Sequence, residues 1–174
     1  TLKKIFYLCM ELGINTFEHG DSYGSEKCEQ LFGELLKEGA FKREEVVLFS
    51  KCGLRLPNAQ RPDIRVKHYN TSATHIIASV EQSLKNLRTD YIDIFLLNHL
   101  DPLSNIEETA YTLQRLKEPG KVKNIGVVNF TVFQHQLLAS LLRTPIVTNH
   151  IELNLLNTSA LDNGQLDYIK QRYM

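Results

Sequence analysis

Three side chains set the chemical question in this sequence: Tyr23, Lys51 and Glu18. A phenol beside an ammonium is suited to proton donation, because the positive charge favours the tyrosinate left behind. A carboxylate beside the ammonium keeps it charged and fixes where it points. Glu18 closes an apolar run from Ile14, Lys51 closes the run Val46-Val47-Leu48-Phe49-Ser50-Lys51, and Tyr23 stands in the turn Gly20-Asp21-Ser22-Tyr23-Gly24. Three more runs of β character follow. Tyr91 to Leu97 ends at Asn98, Ile125 to Val128 is followed by Asn129, and Ile146 to Leu153 contains His150. In a (β/α) barrel the chemistry is carried by the downstream ends of the strands. Strand side chains alternate between the two faces of a sheet, so either Glu18 or His19 points into such a barrel, and either Asn98 or His99. An inward set of Glu18, Lys51, Asn98, Asn129 and His150 would give the mouth an acid, an amine, two amides and an imidazole.

The segments between these runs read as helices. Leu2, Ile5, Phe6, Cys9 and Leu12 recur at helical spacing before Gly13, and Cys28, Leu31, Phe32, Leu35 and Leu36 do so before Gly39. Ile76, Ile77, Val80, Leu84 and Leu87 make a helix face after Ser72. Ser104-x-x-Glu107 and Thr131-x-x-Gln134 have the form of capping boxes. The first opens a helix that stops at Pro119-Gly120, and the second opens one carrying Phe133, Leu137, Leu138 and Leu141. Leu166 to Tyr173 begins another helix. Residues 52 to 71, rich in Pro, Asn and Arg, form the one long connection, and that length points to a functional loop or a lid. Arg55, Arg61, Arg65 and Lys67 within it could meet an anionic substrate or a cofactor phosphate, but read first as a solvated basic face. Strand and helix alternate throughout, so the fold class is α/β. No strand is followed by a glycine-rich phosphate turn of the doubly wound kind. A TIM-type (β/α)8 barrel is therefore expected, represented by about five strands.

Composition excludes several partners. Lys+Arg 20 against Asp+Glu 20 gives zero formal charge, with no electrostatic reason to expect nucleic acid or an anionic membrane. The apolar runs are too short to span a bilayer. Cys9, Cys28 and Cys52 are odd in number and lack metal or redox spacing, which reads as buried thiols in a reducing cytoplasm. The chain opens on Thr1 in mid-pattern and ends at Met174 as a helical pattern closes. Residues 1–174 thus read as one barrel domain, incomplete at both ends.

The stretch Gly13-Ile14-Asn15-Thr16-Phe17-Glu18-His19-Gly20-Asp21-Ser22-Tyr23-Gly24, then Phe49-Ser50-Lys51, Ile92-Asp93-Ile94-Phe95-Leu96-Leu97, Gly120-Lys121-Val122, Ile125-Gly126-Val127-Val128-Asn129-Phe130 and Asn149-His150-Ile151-Glu152 resembles the aldo-keto reductases in order and spacing. The resemblance implies the middle of a (β/α)8 barrel, from its first helix to about its sixth strand. It implies NADPH as cofactor, a small-molecule carbonyl as substrate, aldehyde or ketone reduction by hydride transfer, and no resident metal. Under it the family's catalytic tyrosine falls on Tyr23 and its lysine on Lys51. The family's aspartate falls on Glu18, one methylene longer. Its histidine falls on Asn98, which can donate a hydrogen bond to a carbonyl but cannot pass a proton on. The Ser-Asn pair and the Gln that hold the nicotinamide carboxamide fall on Val128, Asn129 and His150, so only the asparagine is kept. Asn at the histidine position also resembles the potassium-channel β subunits, relatives that bind the cofactor and turn over slowly.

Two other functions remain open at this stage. The departures around the carbonyl and the nicotinamide are those of a catalytically weakened, cofactor-binding regulatory homologue. His19, His99, His150, Glu18 and Asp21 near strand ends are the residue types of a metal-dependent barrel hydrolase, although no H-x-H or H-E-x-x-H spacing is present.

Overall fold

The computed structural model describes residues 2–58 and 61–174. Its frame is one five-stranded, all-parallel sheet, curled and covered on its outer face by helices. In chain order the elements are α1 (Leu2–Glu11), β1 (Thr16–Glu18), α2 (Lys27–Lys37), β2 (Val47–Cys52), β3 (Leu54–Arg55), β4 (His68–Tyr69), α3 (Ala73–Leu87), β5 (Ile92–Asn98), α4 (Ile106–Lys117), β6 (Val122–Val128), α5 (Val132–Leu141), β7 (Ile146–His150), α6 (Ser159–Asp162) and α7 (Gln165–Gln171). Short 3₁₀ turns cover Tyr23–Glu26 and Arg43–Glu45. The main sheet runs β1-β2-β5-β6-β7. The expected α/β class and five barrel strands are therefore present.

Alternation sorts the strand residues. Ser50 points outward, where its hydroxyl donates to Glu29 of α2 at 2.8 Å and meets Ser83 of α3 at 3.0 Å. Its neighbours Phe49 and Lys51 must then point inward. Partners in register carry that face across the sheet: Glu18 with Phe49, Lys51 with Leu96, Asn98 with Val128, and Val128 with His150. The outward residues Phe95, Leu97, Ile125 and Val127 pack with Ile76, Val80 and Leu84 of α3, with Leu113 and Leu116 of α4 and with Leu138 of α5. Each fully buried side chain of this size contributes about 1.5–3 kcal/mol. A second core joins Phe6, Phe32, Leu35, Phe41, Leu48 and Leu87, with Phe17 packed against it.

At the upstream end of the sheet Arg43 acts as a clamp. Its guanidinium donates to Thr89 Oγ1, to the carbonyls of Val46 and Tyr91, and at 2.7 Å to Asp93 Oδ2, which also accepts from the Leu48 N–H. This ties the starts of β2 and β5 together, and no local pattern in the sequence points to it.

Several expectations are corrected. The cap of α4 is Asn105, whose side chain accepts from the N–H groups of Glu107 and Glu108, while the Ser104 hydroxyl donates back to the Asp101 carbonyl. The Thr131–Gln134 box forms as expected. The long connection contains the antiparallel pair β3–β4, with residues 59 and 60 outside the described set. In α1 Phe6 is buried while Ile5 and Leu12 are exposed, and in α5 Phe133 is exposed while His135 and Leu138 are buried. Of the three thiols only Cys52 is buried. Strand β7 stops at His150 rather than Leu153. Asn154 then closes a tight turn on Asn157, the two exchanging backbone hydrogen bonds.

Candidate active site

The curled sheet brings Glu18, Tyr23 and Lys51 into direct contact on its inner face. The Lys51 Nζ donates both to Glu18 Oε1 and to Tyr23 Oη, and lies 4.2 Å from the centre of the Tyr23 ring. The Tyr23 hydroxyl also lies 3.3 Å from Glu18 Oε1 as a donor. The turn at the end of β1 makes this meeting possible. Asp21 N–H donates to the Lys51 carbonyl and Tyr23 N–H to the Gly20 carbonyl, so the turn folds back over the end of β2. Gly20 lies flat against the lysine stem, where an added Cβ would fall 2.7 Å from Lys51 Cγ.

The longer carboxylate has a second partner. His150 Nδ1 stands 3.0 Å from Glu18 Oε2, and its ring packs on Phe49 with centroids 5.5 Å apart. That hydrogen bond, assisted by Lys51 and opposed by partial burial, holds the Glu18 carboxyl down to about 2. Burial works to lower the Lys51 ammonium, but its bonds to Glu18 and Tyr23 outweigh this and the net direction is upward. Both groups are therefore charged at neutral pH.

The remaining expected site residues divide. Asn98 is buried on the inward face, with His99 Nδ1 at 2.8 Å from its Oδ1. That contact occupies the amide oxygen and leaves Nδ2 without a protein partner among the described residues. His99 itself takes a left-handed backbone, φ 62°, and stacks on Tyr69 at 4.7 Å. Asn129 is not part of the inward strand set, because Val128 takes that place and alternation forbids both. Instead Asn129 turns at φ 56°, accepts the Glu152 N–H at 2.8 Å through Oδ1 and leaves its Nδ2 without a protein partner among the described residues. Asn129 Nδ2 is a donor that could hold an amide-bearing ligand, whereas His150 is already engaged by Glu18.

His19 faces away, edge-on to Phe32, with burial lowering it to about 4. Among the described residues no three His, Cys, Asp or Glu side chains gather closely enough to hold a metal ion.

A polar cluster behind the sheet escaped the motif reading. Asp21 Oδ2 accepts from Ser79 Oγ at 3.2 Å and lies 3.6 Å from His75 Nε2. Burial raises Asp21 to about 6 and lowers His75 to about 4. With Glu29, Arg55, Arg61 and Ser83 these line a cavity of about 190 Å³. The signal was the spacing of His75, Ser79 and Ser83, a polar stripe four residues apart on one face of α3.

Comparison with known proteins agrees with this geometry. Residues 2–172 match the description of the Aldo/keto reductase family. The uncharacterized oxidoreductase YcsN of Bacillus subtilis is 46% identical over 164 residues, covering 94% of this chain and 55% of that protein. A 6-dehydroglucose reductase of Agrobacterium fabrum is 40% identical with the same coverage of both chains. Among solved structures, the glycerol dehydrogenase AKR11B4 of Gluconobacter oxydans superposes with a TM-score of 0.83 at 25% identity, over 98% of this chain and 50% of that one. The chain spans about half the length of the curated relatives it matches. Parallel strands, inward lysine and matching relatives lead to one conclusion: this chain belongs to the aldo/keto reductase family of oxidoreductases.

Proposed function

We propose that this chain carries the proton-donating part of an NADPH-dependent reductase of aldehydes and ketones, with a small-molecule carbonyl as substrate and the cytoplasm as its setting. Residues 1–174 would form part of a single (β/α) barrel domain. The reading rests on one observation, the Lys51 ammonium bonded at once to Tyr23 and Glu18.

Bound NADPH would supply the hydride for the carbonyl carbon. Everything else falls to this chain. Asn98 Nδ2 donates to the carbonyl oxygen and orients it. Tyr23 gives its hydroxyl proton to that oxygen as negative charge develops there, and Lys51 stabilises the tyrosinate that results. Glu18 holds the lysine charged and in place. Asn129 Nδ2 and the Val128 side chain would flank the carboxamide of the cofactor. The sugar-derived carbonyl in the name of the Agrobacterium relative makes polyhydroxylated aldehydes and ketones a sensible first panel.

The test is NADPH consumption over a panel of aldehydes and ketones, wild type against Tyr23→Phe. The variant keeps the ring and loses the proton, so kcat should fall by about 100-fold or more. Equal rates would remove Tyr23 from the mechanism. Tight NADPH binding with no turnover across the panel would point instead to a regulatory, cofactor-sensing homologue.

A further inference from the structure

A proton donor used once per turnover must be refilled. Asn98 cannot do this, since an amide neither gains nor loses a proton at ordinary pH. His99, next in sequence, is turned onto Tyr69 and reaches only the Asn98 amide oxygen. The imidazole in contact with the Tyr23–Lys51–Glu18 group is that of His150, arriving from the opposite end of the sheet order, on β7. Its side chain is 35% exposed, so one edge of the ring reaches solvent while Nδ1 faces the carboxylate.

We infer that His150 refills Tyr23 through Glu18, making a three-residue proton path that runs from the imidazole to the phenol. The inference rests on the reductase reading above. The path follows contacts already described: His150 Nδ1 to Glu18 Oε2 at 3.0 Å, and Glu18 Oε1 to Tyr23 Oη at 3.3 Å. After Tyr23 has given its proton to the product alkoxide, its oxygen is anionic. In its protonated form His150 passes its Nδ1 proton to Glu18 Oε2 and becomes neutral, the carboxyl group turns so that its O–H faces the phenolate, and that O–H breaks as the Tyr23 O–H re-forms. His150 regains a proton from water, and Glu18 and Lys51 end each cycle as they began it. One proton enters from solvent for each one leaving in the alcohol.

The extra methylene of Glu18 has a use in this arrangement. It lets one carboxyl group present separate oxygens to two strands, Oε1 to Lys51 on β2 and Oε2 to His150 on β7. His150 acts through Glu18 and does not touch substrate, so it is a positioning and relay residue.

The experiment compares His150→Gln and His150→Ala with wild type and Tyr23→Phe. Glutamine keeps a donor for Glu18 Oε2 but cannot carry a proton. The relay predicts that both His150 variants lose about tenfold or more in kcat with KM little changed. It also predicts that added imidazole restores much of the rate of His150→Ala, and that the solvent deuterium isotope effect on kcat rises in the variants. A readout independent of turnover is nitrogen NMR of the His150 ring, expected to show the proton on Nδ1 in wild type and to lose that preference in Glu18→Gln. His150→Gln as active as wild type, beside an inactive Tyr23→Phe, overturns the relay and leaves the reductase reading intact. A ring protonated on Nε2 alone also overturns it. Wild type and Tyr23→Phe equal in rate overturns the reductase reading itself, and the relay with it.

Discussion

Replacing Gly20 by alanine adds one methyl group, removes no polar atom, and should nevertheless disable the chemistry. The new Cβ would lie 2.7 Å from Lys51 Cγ and 3.1 Å from Lys51 Cε. Carbon contacts settle near 3.5–4.0 Å, so the lysine stem must retreat by roughly 1 Å. It has little room to do so. The side chain is 9% exposed, and its ammonium is tied to both Glu18 and Tyr23. Gly20 is not among the glycines of positive φ, so alanine meets no backbone conflict there and the perturbation falls on the lysine. Charge-assisted bonds of this kind are worth about 1.5–3 kcal/mol each. Losing about 3 kcal/mol of that from the transition state lowers kcat roughly 100-fold, which agrees with the cost of about 100-fold for a 1 Å misplacement. Stability should fall by no more than about 2.6 kcal/mol, because overpacking of about 1–3 kcal/mol is partly offset by about 0.4–1 kcal/mol from stiffening the unfolded chain. The assay pairs steady-state carbonyl reduction with a thermal melt. A Gly20→Ala protein that melts normally and keeps kcat within about twofold of wild type would show that Lys51 geometry does not control the rate.

Two further predictions concern the fold. Burial raises Asp21 from 3.8 to about 6, so the folded state binds this proton more tightly than the unfolded state does. The burial penalty is therefore absent below about pH 4 and grows as pH rises through 6, reaching about 3 kcal/mol from two units at 1.36 kcal/mol each. Asp21→Asn, which still accepts from Ser79, should melt higher than wild type at pH 8 and show no such advantage at pH 4; an advantage that shrinks as pH rises would contradict this. Arg43→Met removes the clamp between β2 and β5, leaves Asp93 with the Lys123 ammonium at 3.4 Å as its remaining cation, and takes a donor from Thr89 Oγ1 and from the Val46 and Tyr91 carbonyls. Urea titration should show a loss of about 3 kcal/mol, with the slope unchanged, and a loss below about 1 kcal/mol would make the clamp incidental.

Local signals were legible where the deciding atoms lie within a few residues of each other. The Thr131–Gln134 box is such a case, since both of its hydrogen bonds span three positions. Ser104 shows the limit: Asn105 beside it is an equally good cap, and the choice fell to it because the Ser104 hydroxyl was taken by Asp101. Periodicity placed α1 and α5 on the chain but not their buried faces, because which side of a helix is covered depends on what packs beside it. The inward face of the strands followed from period-two alternation, apart from Asn129, which stands one residue beyond its strand.

By itself, then, the sequence determined an alternating strand and helix order, the strand ends that bear Lys51 and Asn98, and the turn that bears Tyr23, since residue periodicity and turn chemistry are properties of neighbouring residues. Only the tertiary structure decided that His150 meets Glu18, that Asp21 joins His75 and Ser79, and that Arg43 holds Asp93. Each of those contacts joins segments far apart in the chain. They exist because the curl of the sheet and the packing of helices on its back set which strand ends face one another, and no local pattern carries that information.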